Sequence, residues 1–414
     1  MPETIIGAVP DDWRLTTLGD LCRSGGGGIQ TGPFGSQLHA SDYVPVGIPS
    51  VMPQNIGDNV LVEDGIARIS SDDAQRLSRY LLRKGDIVYS RRGDVGRRAL
   101  VRGHQDGWLC GTGCLRVRLA GSADPKFVSY YLGHPEVRSW IVRHAVGATM
   151  PNLNTEILSS VPVVVPPANL QRVVGEVLGA LDDKIAVNER IARTWEELLT
   201  AKFEDLAIDT DSMAAEKVAV TEMVEFNPPV PVPKGESVYL DMASVPTGTA
   251  RVHQWTRREP KSGSRFCNGD TVMARITPCL ENGKTAFIDF LAPGEIGVGS
   301  TEFIVLRARA GVPTHLPYFL ARSPRFRGHA IQNMVGSSGR QRVGVDALIG
   351  YTVNRANLEA VAAFGQEAEA AFAHMKSLGA ESHTLRELRD ALLPGLMSGA
   401  IRIRDAEKLV EDAA

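Results

Sequence analysis

No stretch of this chain stays apolar for the roughly 20 residues that a membrane-spanning helix requires. The opening residues, MPETIIGAVPDDW, carry neither the basic nor the apolar segment of a secretory signal. The expectation is a chain with no membrane partner and no leader. Cysteine is scarce and odd in number, the five being Cys22, Cys110, Cys114, Cys267 and Cys279. That excludes a disulfide scaffold and fits a reducing, cytoplasmic compartment. Cys110-x-x-x-Cys114 is followed by no second pair at ligand spacing, so the two read as buried thiols rather than a zinc site. The nine histidines are scattered, which leaves no metal cluster to expect. No Pro-Asp…Asp/Glu-x-Lys nuclease pattern stands out. The net charge of −3 offers a polyanion no overall attraction.

What the chain does have is a duplication. Gly85-Asp86-x-Val88-x-x-Arg91 returns as Gly269-Asp270-x-Val272-x-x-Arg275 at an offset of 184. Val146-Gly147-Ala148-Thr149 returns as Val335-Gly336-Ser337-Ser338 at 189, and Ala168-Asn169-Leu170 as Ala356-Asn357-Leu358 at 188. This period is far longer than that of stacked repeats and marks a duplicated domain. A length of 414 residues accommodates it as two cores. Charge is also patterned. Arg76, Arg79, Arg83, Lys84, Arg91, Arg92, Arg97, Arg98 and Arg102 share their stretch with only Asp86 and Asp94. Arg322, Arg325, Arg327, Arg340 and Arg342 share theirs with no acid. Such local patches steer toward phosphates whatever the net charge.

The order along the chain is unit, helix, unit, helix, in an α+β class. Residues 1–166 form the first unit, with short β-type runs at 86–90, 114–119 and 161–165 and one helix from Pro125 to about His144. Residues 167–206 form a first long helix whose apolar positions, among them Leu181, Ile185, Ile191 and Leu198, alternate in threes and fours as a coiled-coil seam. Asn188 falls on that seam, where a polar residue fixes register. At about 1.5 Å per residue this helix spans roughly 58 Å. Residues 207–355 form the second unit and 356–400 a second helix with Leu358, Val361, Phe372, Leu385 and Leu392 on its stripe and a kink expected at Gly379. Residues 401–414 are read as a tail.

Three motifs suggest enzyme chemistry and lack its context. Asn227-Pro228-Pro229-Val230 has the form of a methyltransferase motif but ends in Val230 where a base-stacking aromatic belongs. Gly283-Lys284-Thr285 lacks the upstream glycine of a phosphate loop, Pro278 standing there. Gly25 to Gly28 lead into loop signals rather than a helix and read as a flexible approach to the Gly-Pro-Phe-Gly-Ser loop. The chain is therefore expected to bind rather than catalyse.

Several segments resemble one family. Ile29-Gln30-Thr31-Gly32-Pro33-Phe34-Gly35-Ser36-Gln37-Leu38 is similar to the opening motif of target recognition domains in the DNA specificity subunits of type I restriction-modification systems. The resemblance continues through Lys84-Gly85-Asp86-Ile87-Val88 with Gly93-x-x-Gly96-Arg97, and through Leu181-Asp182-x-Lys184-Ile185. It extends to Glu225-Phe226-Asn227-Pro228, to the loop from Gly336 to Arg342, and to Leu392-Leu393-Pro394-Gly395-Leu396-Met397-Ser398-Gly399. The family's Glu-Gln after Pro-Pro-Leu is replaced by Ala168-Asn169-Leu170-Gln171, and the second unit has no Gly-Pro-Phe-Gly-Ser loop.

This resemblance implies two similar α+β target recognition domains separated by two long antiparallel coiled-coil helices. Each domain would read one half of a bipartite site in double-stranded DNA, and the helices would set the unread spacer. It implies two modification subunits carrying S-adenosylmethionine and restriction subunits using ATP and magnesium, with no cofactor in this chain. The alternatives are the specificity module of a different methyltransferase–nuclease system, or a coiled-coil scaffold without a DNA role. Base reading needs paired donors and acceptors, Arg for guanine and Asn or Gln for adenine. The candidates are Gln30, Ser36, Gln37, Arg91, Arg92 and Arg97 in the first unit and Arg275, Arg340, Gln341 and Arg342 in the second. Gly32, Gly35, Gly336 and Gly339 would let backbone N–H groups approach phosphates.

Overall fold

The structure is a computed structural model and describes residues 2–147, 151–211, 215–259, 262–337 and 339–413. Ala148, Thr149 and Ser338 of the repeated loop lie outside them. The chain divides into two compact units, Met1–Ala186 with Glu381–Ala414, and Val187–Ala380. Each unit takes one half of each long helix.

In the first unit a five-stranded sheet runs Gly28–Thr31, Cys114–Arg118, Ile87–Ser90, Arg98–Leu100, Asp58–Asn59. Its central strand is apolar on both faces, and alternation sends successive residues to different cores. Ile87 and Tyr89 join Leu115 and Val117 in one cluster with the helical Phe127, Tyr131 and Val137. Val88 joins Val51, Ala99, Val101 and Trp108 in the other. The helix expected over 125–144 is two, Pro125–Gly133 and Pro135–His144. His134, placed before a proline, is pushed out of the helical region, with ψ 135°. Gly25 and Gly27 are not a flexible approach. A Cβ there would stand 2.1 Å from the carbonyl oxygen of Leu119 and 1.9 Å from that of Arg118, so these glycines let two backbone segments meet.

In the second unit one sheet runs Val224–Phe226, Phe303–Ala308, Thr271–Ala274, Thr285–Phe287 and another Thr256–Arg258, Ser237–Leu240, Gly297–Gly299, Ser264–Phe266. The same alternation holds. Met273, Ile304 and Leu306 face the helical Leu316, Phe319 and Phe326, while Val272, Ala286 and Val305 face Val238, Leu240 and Phe266.

The long helices are Ala168–Asp205 and Leu358–Ser398. They pair antiparallel within each unit. In the first, Leu181 and Ile185 share a core with Leu385 and Leu392, and Lys184 pairs with Glu381 at 3.2 Å. In the second, Leu199 and Phe203 pack with Val361, Phe364 and Phe372, and Lys202 pairs with Glu367 at 2.6 Å. The expected stripe slips at two places: Leu198 is 43% exposed, with Leu199 buried in its stead, and Leu358 is 81% exposed. At the expected kink, the second helix runs through Gly379 unbroken. The missing side chain makes room for Arg251, whose guanidinium donates to the Met375 carbonyl at 2.8 Å. The 401–414 segment, read as a tail, contains the helix Ile403–Ala413, which buries Ala406 in the first unit's core.

Candidate nucleic-acid interface

The repeated Gly-Asp turn is built the same way twice. Gly85 and Gly269 adopt φ +88° and +89°, a conformation glycine permits without strain. The aspartate that follows is almost fully buried in each unit. Asp86 accepts from the backbone N–H of Arg83 at 2.8 Å and from Arg118 Nε and Nη2 at 2.7 and 2.5 Å. Asp270 accepts from the N–H of Cys267 at 2.7 Å and from Arg307 Nε and Nη2 at 2.7 Å each. A buried carboxylate held by a two-pronged guanidinium from the next strand is a strut for the sheet. What the duplication conserves most plainly is therefore internal.

The arginine that ends each of these strands is different. Arg91 is half-buried, its Nε donates to Asn152 Oδ1 at 3.2 Å, and its carbonyl accepts from the Leu153 N–H at 2.9 Å. The carbonyl of Arg275 accepts from the Val343 N–H, also at 2.9 Å. In both units the strand end is thus tied to the late loop that the sequence repeats. Around Arg91 the structure gathers Arg92, which is exposed, and Arg97, also exposed and paired with Asp94 at 3.1 Å. Around Arg275 it gathers Gln341, whose carbonyl accepts from the Thr277 N–H at 3.0 Å. Arg342 joins them, its Nε and Nη2 held by Glu302 at 2.9 and 2.8 Å. The Arg342 guanidinium holds the Glu302 carboxyl below its ordinary range. Arg340 is exposed on the same loop, and Arg275 Nε is buried without a hydrogen-bond partner.

The remaining first-unit candidates stand apart from that cluster. Gln30 lies on the sheet opposite Arg116, and its amide oxygen accepts from Arg116 Nη2 at 2.6 Å. The amide oxygen of Gln37 accepts from the Tyr80 hydroxyl at 2.8 Å. Both glutamines thus spend on the protein the acceptor that a paired adenine contact needs. Ser36 is exposed on the turn beside Phe34, which is 57% exposed. Gly32 is packed against the Gly111 carbonyl, whereas Gly35 has open space around it. In the second unit Gly339 is likewise open, and Gly336 turns back against Arg340. Asn152 and Glu302, which position the arginines, were missed from the sequence. Asn152 occupies the place of Arg342, since it bridges Arg92 as Arg342 bridges Ile276, an equivalence that only strand pairing reveals.

The enzyme-like motifs serve the fold. Asn227 adopts φ +48°, and its backbone N–H and side-chain oxygen bond Val305 from both sides, at 2.7 and 2.9 Å. Its side chain completes a sheet edge. Lys284 donates its ammonium to the carbonyls of Met242 and Ala243 at 2.7 and 3.2 Å. Cys114 Sγ donates to the Val51 carbonyl at 3.2 Å, and burial pushes the Cys110 thiol up to about 12. Among the described residues no helix is long and apolar enough to cross a membrane.

Residues 10–195 match the family described as the type I restriction modification DNA specificity domain. This match takes in somewhat less than half of the chain, so it is that segment which is similar to the type I restriction-modification DNA specificity domain. It is similar to the EcoAI specificity subunit of Escherichia coli, 33% identical over 31% of this chain and 23% of that protein. It is also similar to the EcoEI specificity subunit of the same organism, 28% identical over 48% of this chain and 34% of that protein. These matches cover well under half of the relatives' own lengths. The fold resembles the crystal structure of the type I restriction-modification S subunit from M. genitalium, with a TM-score of 0.54, 14% identity, and coverage of 94% of this chain and 98% of that one. The α+β organisation with long helices is therefore the fold of that S subunit.

Proposed function

We propose that this chain is the DNA-reading subunit of a type I restriction-modification complex. Each compact unit reads one half of a bipartite target through its strand-end arginine and late loop. The paired helices fix the unread spacer, and the complex works in the cytoplasm, where the free cysteines stay reduced. The supporting observation is the division of labour inside the duplication. Its acid is locked in a buried clamp in both units, while Arg92 at the strand end of one and Arg340 in the late loop of the other stay exposed.

The chemistry is assigned to partners. Two modification subunits supply S-adenosylmethionine and methylate one adenine per half-site, and restriction subunits supply ATP, magnesium and cleavage. Supporting this assignment, the chain's own methyltransferase-like Asn227 and phosphate-loop-like Lys284 are both engaged in holding the second unit together.

The test is to express the chain with its modification subunit and map methylated adenines across a host genome. The expected result is a bipartite motif with a fixed gap. One extra helical turn in each long helix should change the gap while both half-sites stay the same. A continuous motif, or methylation indifferent to deletion of this chain, contradicts the proposal.

A further inference from the structure

The duplication holds a second basic feature outside the strand-end arginines and the late loops. The helix Pro135–His144 opens Pro135-Glu136-Val137-Arg138, and the helix Pro324–Gln332 opens Pro324-Arg325-Phe326-Arg327, at an offset of 189. Val137 and Phe326 are both 0% exposed and anchor the first turn. Arg138 and Arg327 follow each anchor by one residue and come to the same place on their unit. Arg138 Nε lies 3.5 Å from where a Cβ would stand on Gly96, and Arg327 Nη1 lies 2.6 Å from the equivalent point on Gly283. Gly96 and Gly283 belong to the connections between the paired central strands, and these connections begin with Arg91 and Arg275. A Cβ at Gly283 would crowd the guanidinium, which places the arginine directly against this loop.

Neither guanidinium has an ion pair or hydrogen bond among the described residues, whereas Arg97, Arg98 and Arg325 nearby do. Arg97 is held by Asp94, Arg98 by Asp58, and Arg325 by Asp209 and Asp211. The carboxylate that feels Arg138, Asp58, is already held by Arg389 at 2.8 Å and Arg98 at 3.5 Å. Arg138 also lines a cleft of about 560 Å³ with Gly133, Pro135, Ser139, Val142 and Arg143. An arginine brought twice to the loop that carries the reading residues, and left without an anion among the described residues in both copies, is poised for an anion from outside the chain. Guanidinium matches phosphate in two-pronged geometry. Beside a base-reading loop, the phosphates present are those of the DNA backbone.

We infer that Arg138 and Arg327 are matched phosphate clamps, each gripping the DNA backbone beside the half-site that its own unit reads. This inference rests on the DNA-reading assignment above. It adds that these two residues set affinity and register and carry no base information.

The test uses the full chain assembled with its modification subunit. Binding is measured across a salt series to a duplex carrying the mapped methylation motif and to a scrambled duplex. The variants are Arg138→Ala, Arg327→Ala and the corresponding lysine substitutions, with thermal unfolding measured alongside. Each alanine variant is expected to flatten the slope of log K against log salt by about 1. It should weaken binding to both duplexes by the same factor, and the lysine variants should restore the slope. An unchanged slope in a folded variant, or a loss confined to the motif duplex, overturns the clamp while leaving the reading assignment intact. If the unsubstituted complex shows no preference for the motif duplex, the reading assignment fails and the clamp falls with it.

Discussion

The two units share a frame and differ in how they hold the residue at its edge. In both, a Gly-Asp turn, a buried aspartate and an arginine from the neighbouring strand make the same clamp. Beyond it the first unit holds its strand-end Arg91 with a neutral partner, Asn152, whereas the second holds its late-loop Arg342 with an ionised one, Glu302. The first also has a Gly-Pro-Phe-Gly-Ser turn with an exposed Phe34, for which the second has no counterpart. The frame is duplicated and its fittings have diverged, as expected of one scaffold reused for two different readings.

The clamp offers the strongest way to break this comparison. Asp86→Ala and Asp270→Ala each leave a guanidinium uncompensated against a buried site, a loss of about 3–5 kcal/mol. Each should destabilise its own unit in urea unfolding followed by hydrogen exchange. Equal protection loss in both units after either substitution would contradict the two-frame description.

The sequence made the duplicated scaffold visible but not the clamp inside it. The Gly-Asp spacing was legible because a positive-φ turn and an apolar strand are local features. The partners Arg118 and Arg307 were not, because strand register brings them in from 32 and 37 residues away. The partner of Gln30 was hidden for the same reason, since only the sheet order sets it opposite Arg116. The helix pair was legible from its period. The slip from Leu198 to Leu199 was not, because periodicity alone does not show that the face bearing Glu196 turns inward to accept the Ala250 N–H. The break at His134 was legible in Pro135 and overlooked.

A titratable group deep in the core of the second unit sharpens the comparison further. His315 is buried between Phe287 and Phe372, with ring centroids 4.4 and 4.3 Å away, and burial lowers it from 6.5 to about 4. The depressed value means that the unfolded chain takes up the proton first. Stability is complete above pH 6.5 and drains as pH falls toward 4, by about 3 kcal/mol in all. Glu369 stands 3.8 Å away and is largely exposed. His315→Phe should flatten the acid limb of the second unit's unfolding between these pH values and leave the first unit's unchanged. An unaltered acid limb would show that His315 titrates as in water.

The claim that the two units read separate messages is tested most directly by single substitutions at their exposed loop arginines. Arg92→Ala and Arg340→Ala, each assembled with the modification subunit, are compared by genome-wide mapping of methylated adenines. A lost base contact is worth about 1–3 kcal/mol of discrimination at its position. The account predicts that Arg92→Ala relaxes bases in one half-site only and Arg340→Ala bases in the other only, with the gap unchanged. Relaxation of the same half-site by both variants, or of all positions evenly, would contradict it.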